Sequence, residues 1–388
     1  MEKIFKAVVV LYVEKIFILI PWFQPAYKAG GPIQSVANMV AKLSDTEFKI
    51  FTSNKDLDGT TLQNTAADKW IRYNDNTEVW YSSGDNLQEV ITKAIKENEG
   101  AIVFINGIYD WSFNLKPLLA NRQVKKIVSA RGMLHPGALS QKSIKKKLYL
   151  WLWKMAGLHK NIVFHATDEE EKKHIKQVFG NKVHVIVAAN FPRMVPMQAA
   201  IEKKENSIKL VSVALMSPMK NISLVLEALA VKSRQPAVSI EYDIYGPVKD
   251  EMYWKKCLEL IARMPASVRV NYHGDIPPGK IAGALAGGHV FILPSKSENF
   301  GHAIIEALSA GRPVITSDTT PWNNLQAAKA GINVPVNDKE ALGKAIDLFA
   351  AMPAAEWGIW SKGAHDYAIS SVDIGKIKQQ YNLLFQPT

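Results

Sequence analysis

Two glutamates eight residues apart, Glu298 and Glu306, are well suited to bind a polar small molecule. They lie in the segment SENFGHAIIEALSAGRPV, where a loop after the apolar stretch Val290–Leu293 leads into a helical pattern. The helix predicted over Gly301–Ala310 begins with free backbone N–H groups and a positive dipole end, which favour a diphosphate. Glu298 in the loop and Glu306 in the second turn could flank one bound molecule and accept hydrogen bonds from its hydroxyl groups. The alternative is that both are solvated surface acids.

The elements that must position this site form a repeating pattern. Short apolar, β-branched stretches alternate with longer amphipathic ones, which is typical of α/β folds with parallel sheets covered on both faces. The predicted strands are Ile16–Ile20, Phe48–Thr52, Glu78–Tyr81, Ala101–Ile105, Lys126–Ser129, Asn161–His165, Val183–Val187, Lys209–Val213, Ser239–Ile244, Val268–Tyr272, Val290–Leu293 and Pro313–Thr316. Predicted helices include Ile33–Leu43, Leu87–Glu97, Leu224–Val231 and His302–Ala310.

The strands fall into two series, separated by the proline-containing segment 190–196 and the charged segment 201–206. Neither segment fits a packed sheet. We therefore predict a Rossmann-like domain over residues 1–195, a second over 206–365, and a terminal segment over 366–388. Since open parallel sheets bind ligands at the carboxyl ends of their strands, two such halves place the site in a cleft between them.

Composition restricts the possible functions. The 388 residues are 47% hydrophobic and 21% charged, which is ordinary for a globular protein. A single cysteine, Cys257, excludes an internal disulfide framework and a cysteine-based metal site. The net charge of +11 suits phosphate-bearing partners, but no nucleic-acid-binding motif is present, so nucleic acid is not an expected partner.

The amino-terminal residues give no membrane or export signal. No run of about 18 uncharged apolar residues occurs, and no small-residue cleavage site follows the first apolar stretches. A cytoplasmic location is therefore the default expectation, and residues 1–14 are an extension without an assigned role.

The motif around the two glutamates resembles a known family signature. The pattern S-x-x-E-x-F-G-x-x-x-x-E-A-L-x-x-G-x-P-V is similar to that of family 4 glycosyltransferases, and the segments 164–171, 213–221 and 243–247 extend the resemblance over most of the chain. The resemblance implies the α/β GT-B fold, two Rossmann-like domains facing across a deep cleft. It also implies that a carboxyl-terminal segment crosses back onto the first domain.

The activity implied by the resemblance is retaining and metal-independent. A sugar would move from a UDP- or GDP-linked donor to a glycan or lipid-linked acceptor, without a cofactor. Glu306 would bind the ribose hydroxyls and Glu298 the transferred sugar. The backbone N–H groups of Asn299, Phe300 and Gly301 would hold the sugar and the phosphates.

The segment VALMSPMKN places Ser217 and Lys220 at the donor by the same resemblance. Independently, the departure of a nucleoside diphosphate builds negative charge on the leaving oxygen, and a positioned cation such as Lys220 stabilises that charge. The alternative is that Lys220 is an exposed lysine that opens a helix over Asn221–Val231.

The chain departs from the family pattern at two positions. Where the family usually has an arginine, five residues before the lysine, this chain has Leu215. Where the family often has histidine before a glycine, it has Arg131, with His135 four residues further on; either could take the catalytic role. Candidate replacements for the missing arginine are Arg193, Arg312 and Lys296.

Two loops after amino-terminal strands are further candidates. Gly30 and Gly31 permit a close approach to a ligand, and by resemblance they lie near the donor phosphates, although a plain turn explains them equally well. Tyr109, Asp110 and Trp111 could contact an acceptor, but core packing of the aromatic side chains is at least as good an interpretation.

The stretch Lys142–Lys154 contains four lysines, Lys142, Lys145, Lys146 and Lys147, followed by an aromatic and aliphatic run. A basic helix with tryptophans could rest on an anionic membrane, at the inner face if the protein is cytoplasmic. The alternative is a helix packed on the sheet with a solvated lysine face.

Other functions stay open at this point. The departures at Leu215 and Arg131 also fit a non-catalytic protein that binds nucleotide sugars, and the fold class also includes sugar-nucleotide epimerases. Slow hydrolysis of the donor distinguishes an enzyme from a binding protein.

Overall fold

The computed structural model describes residues 15–98, 100–120, 124–140, 143–199, 201–230 and 238–386. Over these ranges the chain forms two α/β units, each built on one sheet. The strands of the first sheet are β1 (Lys15–Leu19), β2 (Glu47–Ser53), β3 (Trp70–Asn74), β4 (Thr77–Ser82), β5 (Ile102–Asn106), β6 (Lys125–Ser129), β7 (Val163–Ala166) and β8 (His184–Val187). Those of the second are β9 (Ser207–Val213), β10 (Ser239–Tyr245), β11 (Val268–Tyr272), β12 (Val290–Leu293), β13 (Val314–Ser317) and β14 (Gly331–Val334).

Helices connect the strands and cover the sheets. They are α1 (Gly31–Lys42), α2 (Leu87–Lys96), α3 (Lys116–Leu119), α4 (Pro136–Ser140), α5 (Ser143–Met155), α6 (Glu169–Phe179), α7 (Ile222–Leu229), α8 (Glu251–Ile261), α9 (Ile281–Ala286), α10 (His302–Ser309), α11 (Lys339–Ala351), α12 (Ala354–Ser370) and α13 (Ile374–Leu384). A π-helical turn over Trp111–Leu115 and a 3-10 turn over Pro278–Lys280 complete the described elements.

The first sheet has the order β3-β4-β2-β1-β5-β6-β7-β8. Its strands are parallel, as predicted, except for the pair β3 and β4 at its edge, which is antiparallel. The reason is local: only Asp75 and Asn76 join the two strands, and so short a connection can form only an antiparallel hairpin.

The second sheet is parallel throughout, in the order β11-β10-β9-β12-β13-β14. Its strands β12 and β13 are buried at every position, as near-continuous apolar stretches predict. The edge strand β14 was not predicted, because Gly331–Val334 is short and half of it is glycine and asparagine.

The carboxyl-terminal helices divide between the units. Helix α12 packs on α10, and Ala368, near its end, lies in the core of the second unit. Helix α13 returns to the first unit, where Tyr381 stacks on Phe191 with ring centroids 5.3 Å apart. Helix α12 is continuous to Ser370, and the chain then crosses to the first unit. The domain limits 1–195, 206–365 and 366–388 stay predictions.

Buried neutral histidines tie stability to pH. The side chain of His289 accepts a hydrogen bond from Lys209 N–H at Nδ1 (2.9 Å) and donates one from Nε2 to the Glu202 carbonyl (3.0 Å), so its ring is neutral. Burial lowers the pKa of His289 to about 4. Below pH 6.5 the unfolded chain binds a proton that the folded chain does not, so stability is lost as the pH falls through this range.

We expect His289 alone to lower the free energy of unfolding by roughly 2 kcal/mol when the pH falls from 7 to 5. Denaturant unfolding at the two pH values measures the effect. His289→Gln, which keeps one acceptor and one donor, should show a smaller pH dependence, whereas replacing the exposed His184 should change it little. An unchanged pH dependence in His289→Gln would contradict the assignment.

Candidate functional site

The amino end of α10 is built to leave backbone donors free. Gly301 caps the helix in the left-handed region, with φ of 76°, and a Cβ there would come within 3.2 Å of the Trp322 indole nitrogen. The indole in turn donates a hydrogen bond to the Phe300 carbonyl (2.6 Å). By helix geometry, the amide groups of Gly301, His302 and Ala303 have no intrahelical acceptor. Glycine is therefore required at this helix start.

This helix start opens into a cavity of about 410 Å³ between the two units. Its lining comes from both: Gly30 and Gly31 from the loop before α1, and Glu298, Gly301 and Glu306 from the segment around α10. The groups singled out in the sequence thus share one cleft, and the amino end of α10 is not walled off from it.

Glu306 lies at the floor of the cavity and is only 3% exposed. Burial raises its pKa, and the Arg193 guanidinium, whose Nε lies 3.0 Å from Oε1, opposes that shift. Arg193 also donates a hydrogen bond from Nη1 to the Pro278 carbonyl (3.1 Å). The arginine proposed to replace the missing cation is thus paired with Glu306, where it helps to keep a buried carboxylate ionised.

Glu298 and Lys220 form an ion pair at the opposite side of the cavity. Lys220 Nζ lies 2.6 Å from Glu298 Oε1, and the Ser295 hydroxyl donates to the same oxygen (2.7 Å). The ion pair joins the loop after β9 to the loop after β12, so Lys220 is not merely an exposed lysine at a helix start. A bound anion would compete with Glu298 for this cation.

Lys249 is a second cation in the cavity that was not predicted from the sequence. Its backbone N–H donates to the Met216 carbonyl (3.2 Å), which fixes it beside the loop that carries Lys220. Burial and the neighbouring Lys220 charge lower the pKa of Lys249. Its place in YGPVK, just after a predicted strand, was the signal that could have found it.

Basic side chains surround His302 at the start of α10. Burial lowers the pKa of His302 to about 3, and the charges of Arg131, Arg193 and Lys220 add to the shift. The neutral ring lies 2.8 Å from the Ser35 hydroxyl through Nε2, which links the two units. Such surroundings favour an anionic ligand.

The other candidate cations lie elsewhere. Arg312 is buried and donates to the carbonyls of Leu285 (2.9 Å) and Ala199 (2.8 Å), and Lys296 is exposed; neither lines the cavity. Leu215 does line it, with Cδ1 3.6 Å from where a Cβ on Gly30 would lie. An apolar contact between the units therefore occupies the position expected for an arginine.

Arg131 lies between this cavity and a second one of about 220 Å³, and lines both. Its guanidinium is held by Asn106 Oδ1 (2.7 Å, from Nε) and Asn190 Oδ1 (2.6 Å, from Nη1). His135 lines only the smaller cavity, together with Glu298 and Asn299.

The remaining predicted contacts fall into two groups. Asn299 and Phe300 line the large cavity as expected. Ser217, Tyr109 and Asp110 line neither cavity: the Asp110 carboxylate caps the π-helical turn by accepting from Phe113 N–H (2.7 Å). Tyr109 packs against Tyr149, as the packing alternative expects, whereas Trp111 is 56% exposed and does not pack in the core.

A smaller set of residues could hold a metal ion. His135, Glu170 and His174 bring one ligand atom each within 4.8 Å of one another, at the edge of the smaller cavity.

The structure also contains, over the described ranges, no helix long and apolar enough to cross a membrane.

Comparison with known proteins identifies the second unit. Residues 196–357 match the family model "Glycosyl transferases group 1". The O-antigen chain mannosyltransferase B of Escherichia coli is 28% identical over 135 residues, 34% of this chain and 33% of that protein. The sulfoquinovosyl transferase of Arabidopsis thaliana is 32% identical over 88 residues, 23% of this chain and 16% of that protein. The aligned segments thus span a third or less of these relatives.

Solved structures match nearly the whole chain. Sucrose-phosphate synthase from Thermosynechococcus elongatus has a TM-score of 0.72 at 17% identity, covering 96% of this chain and 98% of the other. HepE of Anabaena, in complex with UDP and glucose, has a TM-score of 0.68 at 16% identity (96% and 99% covered). WaaG, a glycosyltransferase involved in lipopolysaccharide biosynthesis, has a TM-score of 0.63 at 13% identity (96% and 100% covered).

At these identities the structural matches establish the fold, and the family model establishes the second unit. The GT-B fold expected from the resemblance is confirmed. Residues 196–357 therefore match the group 1 glycosyl transferase model, within a chain that has the GT-B fold.

Proposed function

We propose that this protein transfers a sugar from a nucleoside diphosphate donor to a glycan or lipid-linked acceptor, in the synthesis of a polysaccharide or other envelope glycan. One observation carries the proposal. The free amide groups at the start of α10, two neighbouring cations, Lys220 and Lys249, and a buried carboxylate, Glu306, all face one cavity between the units. Two neighbouring lysines repel each other, and an anion bound between them would relieve that repulsion.

In the proposed complex the diphosphate lies on the amino end of α10. The amides of His302 and Ala303 donate to its oxygens, and Lys220 and Lys249 neutralise its charge. Glu306 accepts hydrogen bonds from the ribose hydroxyls, and Arg193 pairs with that carboxylate and favours its ionised form. A UDP- or GDP-linked donor fits this arrangement.

The chemical step follows from where charge develops. As the bond between the sugar and the phosphate breaks, negative charge grows on the leaving oxygen, and Lys220 lies where it can stabilise it. Glu298 contacts the transferred sugar with Asn299. The carboxylate nearest the sugar is already paired with a lysine, so we propose that the acceptor attacks from the side of the leaving group. The departing phosphate then takes the acceptor's proton, and the configuration is retained.

The contacts between the units fit this chemistry, because closing the cleft excludes water from the reacting bond. The Tyr27 hydroxyl donates a hydrogen bond to the Asp275 carboxylate (2.7 Å), and the Thr167 hydroxyl donates one to Asn299 Oδ1 (2.9 Å). Arg131, held by two asparagines between the cavities, would orient the acceptor beside the sugar.

Incubation of the purified chain with a panel of radiolabelled UDP- and GDP-sugars tests this function. Slow release of free sugar from one donor, without an acceptor, is the expected result. Tight binding of a donor with no turnover would favour the non-catalytic binding protein, and conversion of the bound sugar to its epimer would favour an epimerase. No binding of any donor would overturn the proposal.

We also propose that α5 rests on an anionic membrane surface. Its exposed side carries a row of apolar side chains with exposures from 52% to 82%: Ile144, Leu148, Trp151, Leu152 and Met155. Their spacing of three and four residues places them on one helix face, while Leu150 and Trp153 pack inward. Lys145, Lys147 and Lys154 are exposed beside this row, and Lys142 lies outside the described residues. Apolar side chains bordered by lysines are typical of interfacial helices.

Co-sedimentation with vesicles that contain phosphatidylglycerol measures this contact. Leu148→Glu combined with Trp151→Glu should abolish most of the binding, and neutralising Lys142, Lys145, Lys146 and Lys147 should weaken it in a salt-dependent way. Met252→Glu, at an 86% exposed site in the second unit, is the matched control and should bind like the parent chain. Equal binding by all four proteins would show that the membrane contact is wrong.

A further inference from the structure

The smaller cavity contains two histidines and a glutamate that the proposed sugar transfer does not use. His135 precedes α4, and Glu170 and His174 lie one turn apart on the same face of α6. One ligand atom from each lies within 4.8 Å of the other two. The His135 and His174 rings meet edge to face, with centroids 4.9 Å apart. Two imidazoles and one carboxylate are a preferred ligand set for a zinc-like divalent ion.

The backbone that carries these side chains is held in place. The Glu171 carboxylate accepts hydrogen bonds from Gly132 N–H (2.6 Å) and Thr167 N–H (2.8 Å), which ties the turn before His135 to the start of α6. The carbonyl of His135 in turn accepts from the first amides of α4. These hydrogen bonds therefore hold the backbone of His135 close to the start of α6.

Coordination requires only small side-chain movements. Ligand atoms bound to zinc at about 2.1 Å in a tetrahedron are roughly 3.4 Å apart. Closing from 4.8 Å to that separation takes a movement of about 1.4 Å, and Glu170 is exposed while both histidines are only partly buried. Gly137 N–H now donates to His135 Nδ1 (3.1 Å). A metal ion bound at Nδ1 would replace this hydrogen bond by a coordination bond, whereas one bound at Nε2 would place the ring proton on Nδ1 and break the hydrogen bond.

The charge of the cavity suits a cation. Asp168, Glu170, Glu171 and Glu298 line it, and besides the two histidines Arg131 is its one basic lining residue. This is the reverse of the larger cavity, where the cations dominate. We propose that His135, Glu170 and His174 bind one divalent transition-metal ion of the zinc class, with its remaining coordination position open to the smaller cavity. This site is separate from the diphosphate seat, which the lysines and α10 provide.

Zinc binding to the full chain, free of any histidine tag and treated with EDTA, tests the site. Competition with a chromogenic zinc chelator gives the affinity and the stoichiometry. We expect one zinc ion per chain, and a loss of affinity of at least about tenfold in His135→Ala and in His174→Ala. The exposed His184, in β8, provides the control: His184→Ala should bind like the parent chain.

The His174 variant keeps the test interpretable if His135→Ala fails to fold, because His174 is only partly buried, and thermal unfolding checks both variants. Unchanged zinc affinity in His174→Ala, or no stoichiometric uptake by the parent chain, would overturn the proposal. Titration with UDP and GDP, with and without EDTA, separates the two sites. Nucleotide binding should not depend on zinc, so either the metal site or the proposed sugar transfer can fail alone.

Discussion

Lys220→Ala should lower the rate of sugar transfer about 100- to 1000-fold while weakening donor binding much less. The reason is that negative charge on the leaving oxygen is greatest in the transition state, and removal of one positioned donor to such a charge typically costs that much. In the unliganded chain Lys220 Nζ is paired with Glu298 Oε1 at 2.6 Å. The cation is therefore already placed, and the loss falls on the chemical step. Single-turnover kinetics with a labelled donor separate this step from binding.

Two comparisons make the Lys220 result specific. Lys249→Ala removes the second cation of the same cavity, and a double variant should lose less than the product of the two separate effects, because both lysines act on one diphosphate. Lys344→Ala, at a 75% exposed side chain on α11, should leave the rate unchanged. If Lys220→Ala alters donor affinity and rate by the same factor, Lys220 contributes uniform binding and the proposed catalytic role is wrong.

Glu306→Ala should weaken donor binding by about 1–3 kcal/mol, or roughly 5- to 150-fold in Kd. The carboxylate is 3% exposed, and its proposed partners are the two ribose hydroxyls. The substitution also leaves the Arg193 guanidinium without its charge partner. Isothermal titration with UDP or GDP measures the affinity, and a thermal unfolding curve shows how much of the loss comes from the fold.

Glu306→Gln separates charge from shape. The amide keeps one acceptor at the same place, so its loss of affinity should lie between those of the parent chain and Glu306→Ala. Glu340→Ala, which removes a 79% exposed carboxylate of the same unit, should bind nucleotide normally. Equal nucleotide affinity in the parent chain and Glu306→Ala would contradict the ribose assignment.

The fold could be predicted because each buried strand is visible in the sequence as a short apolar stretch. Strands such as Val290–Leu293 are apolar at every position, and such stretches separated by amphipathic helices have few other solutions than parallel sheets. The strand β3 was not predicted because the residues Trp70–Asn74 are only partly buried at most positions, so they form no continuous apolar stretch. Its direction is set by a two-residue connection rather than by its own residues.

The donor side of the site could be predicted because it lies within one continuous segment. Glu298, Gly301 and Glu306 are close in sequence, and a single loop and helix fix their relation. The cations could not be assigned in this way. Arg193, in the segment between the units, pairs with Glu306. Lys249, after β10, lies close to Lys220, which follows the neighbouring strand β9. Such pairings depend on the order of strands in the sheet.

The smaller cavity shows the same limit. His135 was a candidate for catalysis because it follows Arg131 by only four residues in the sequence. In the structure the two side chains face different neighbours: Arg131 contacts Asn106 and Asn190, and His135 contacts His174. Spacing along the chain did not distinguish these surroundings, because they depend on how α6 packs beside the turn.

A crystal structure of the chain grown with UDP, and another with GDP, would test the central claim most directly. For the base that binds, we predict phosphate oxygens within hydrogen-bond distance of the His302 and Ala303 amides, with Lys220 and Lys249 on the phosphates and both ribose hydroxyls on Glu306. A nucleotide bound elsewhere in the molecule, with the start of α10 unoccupied at saturating concentration, would contradict the account.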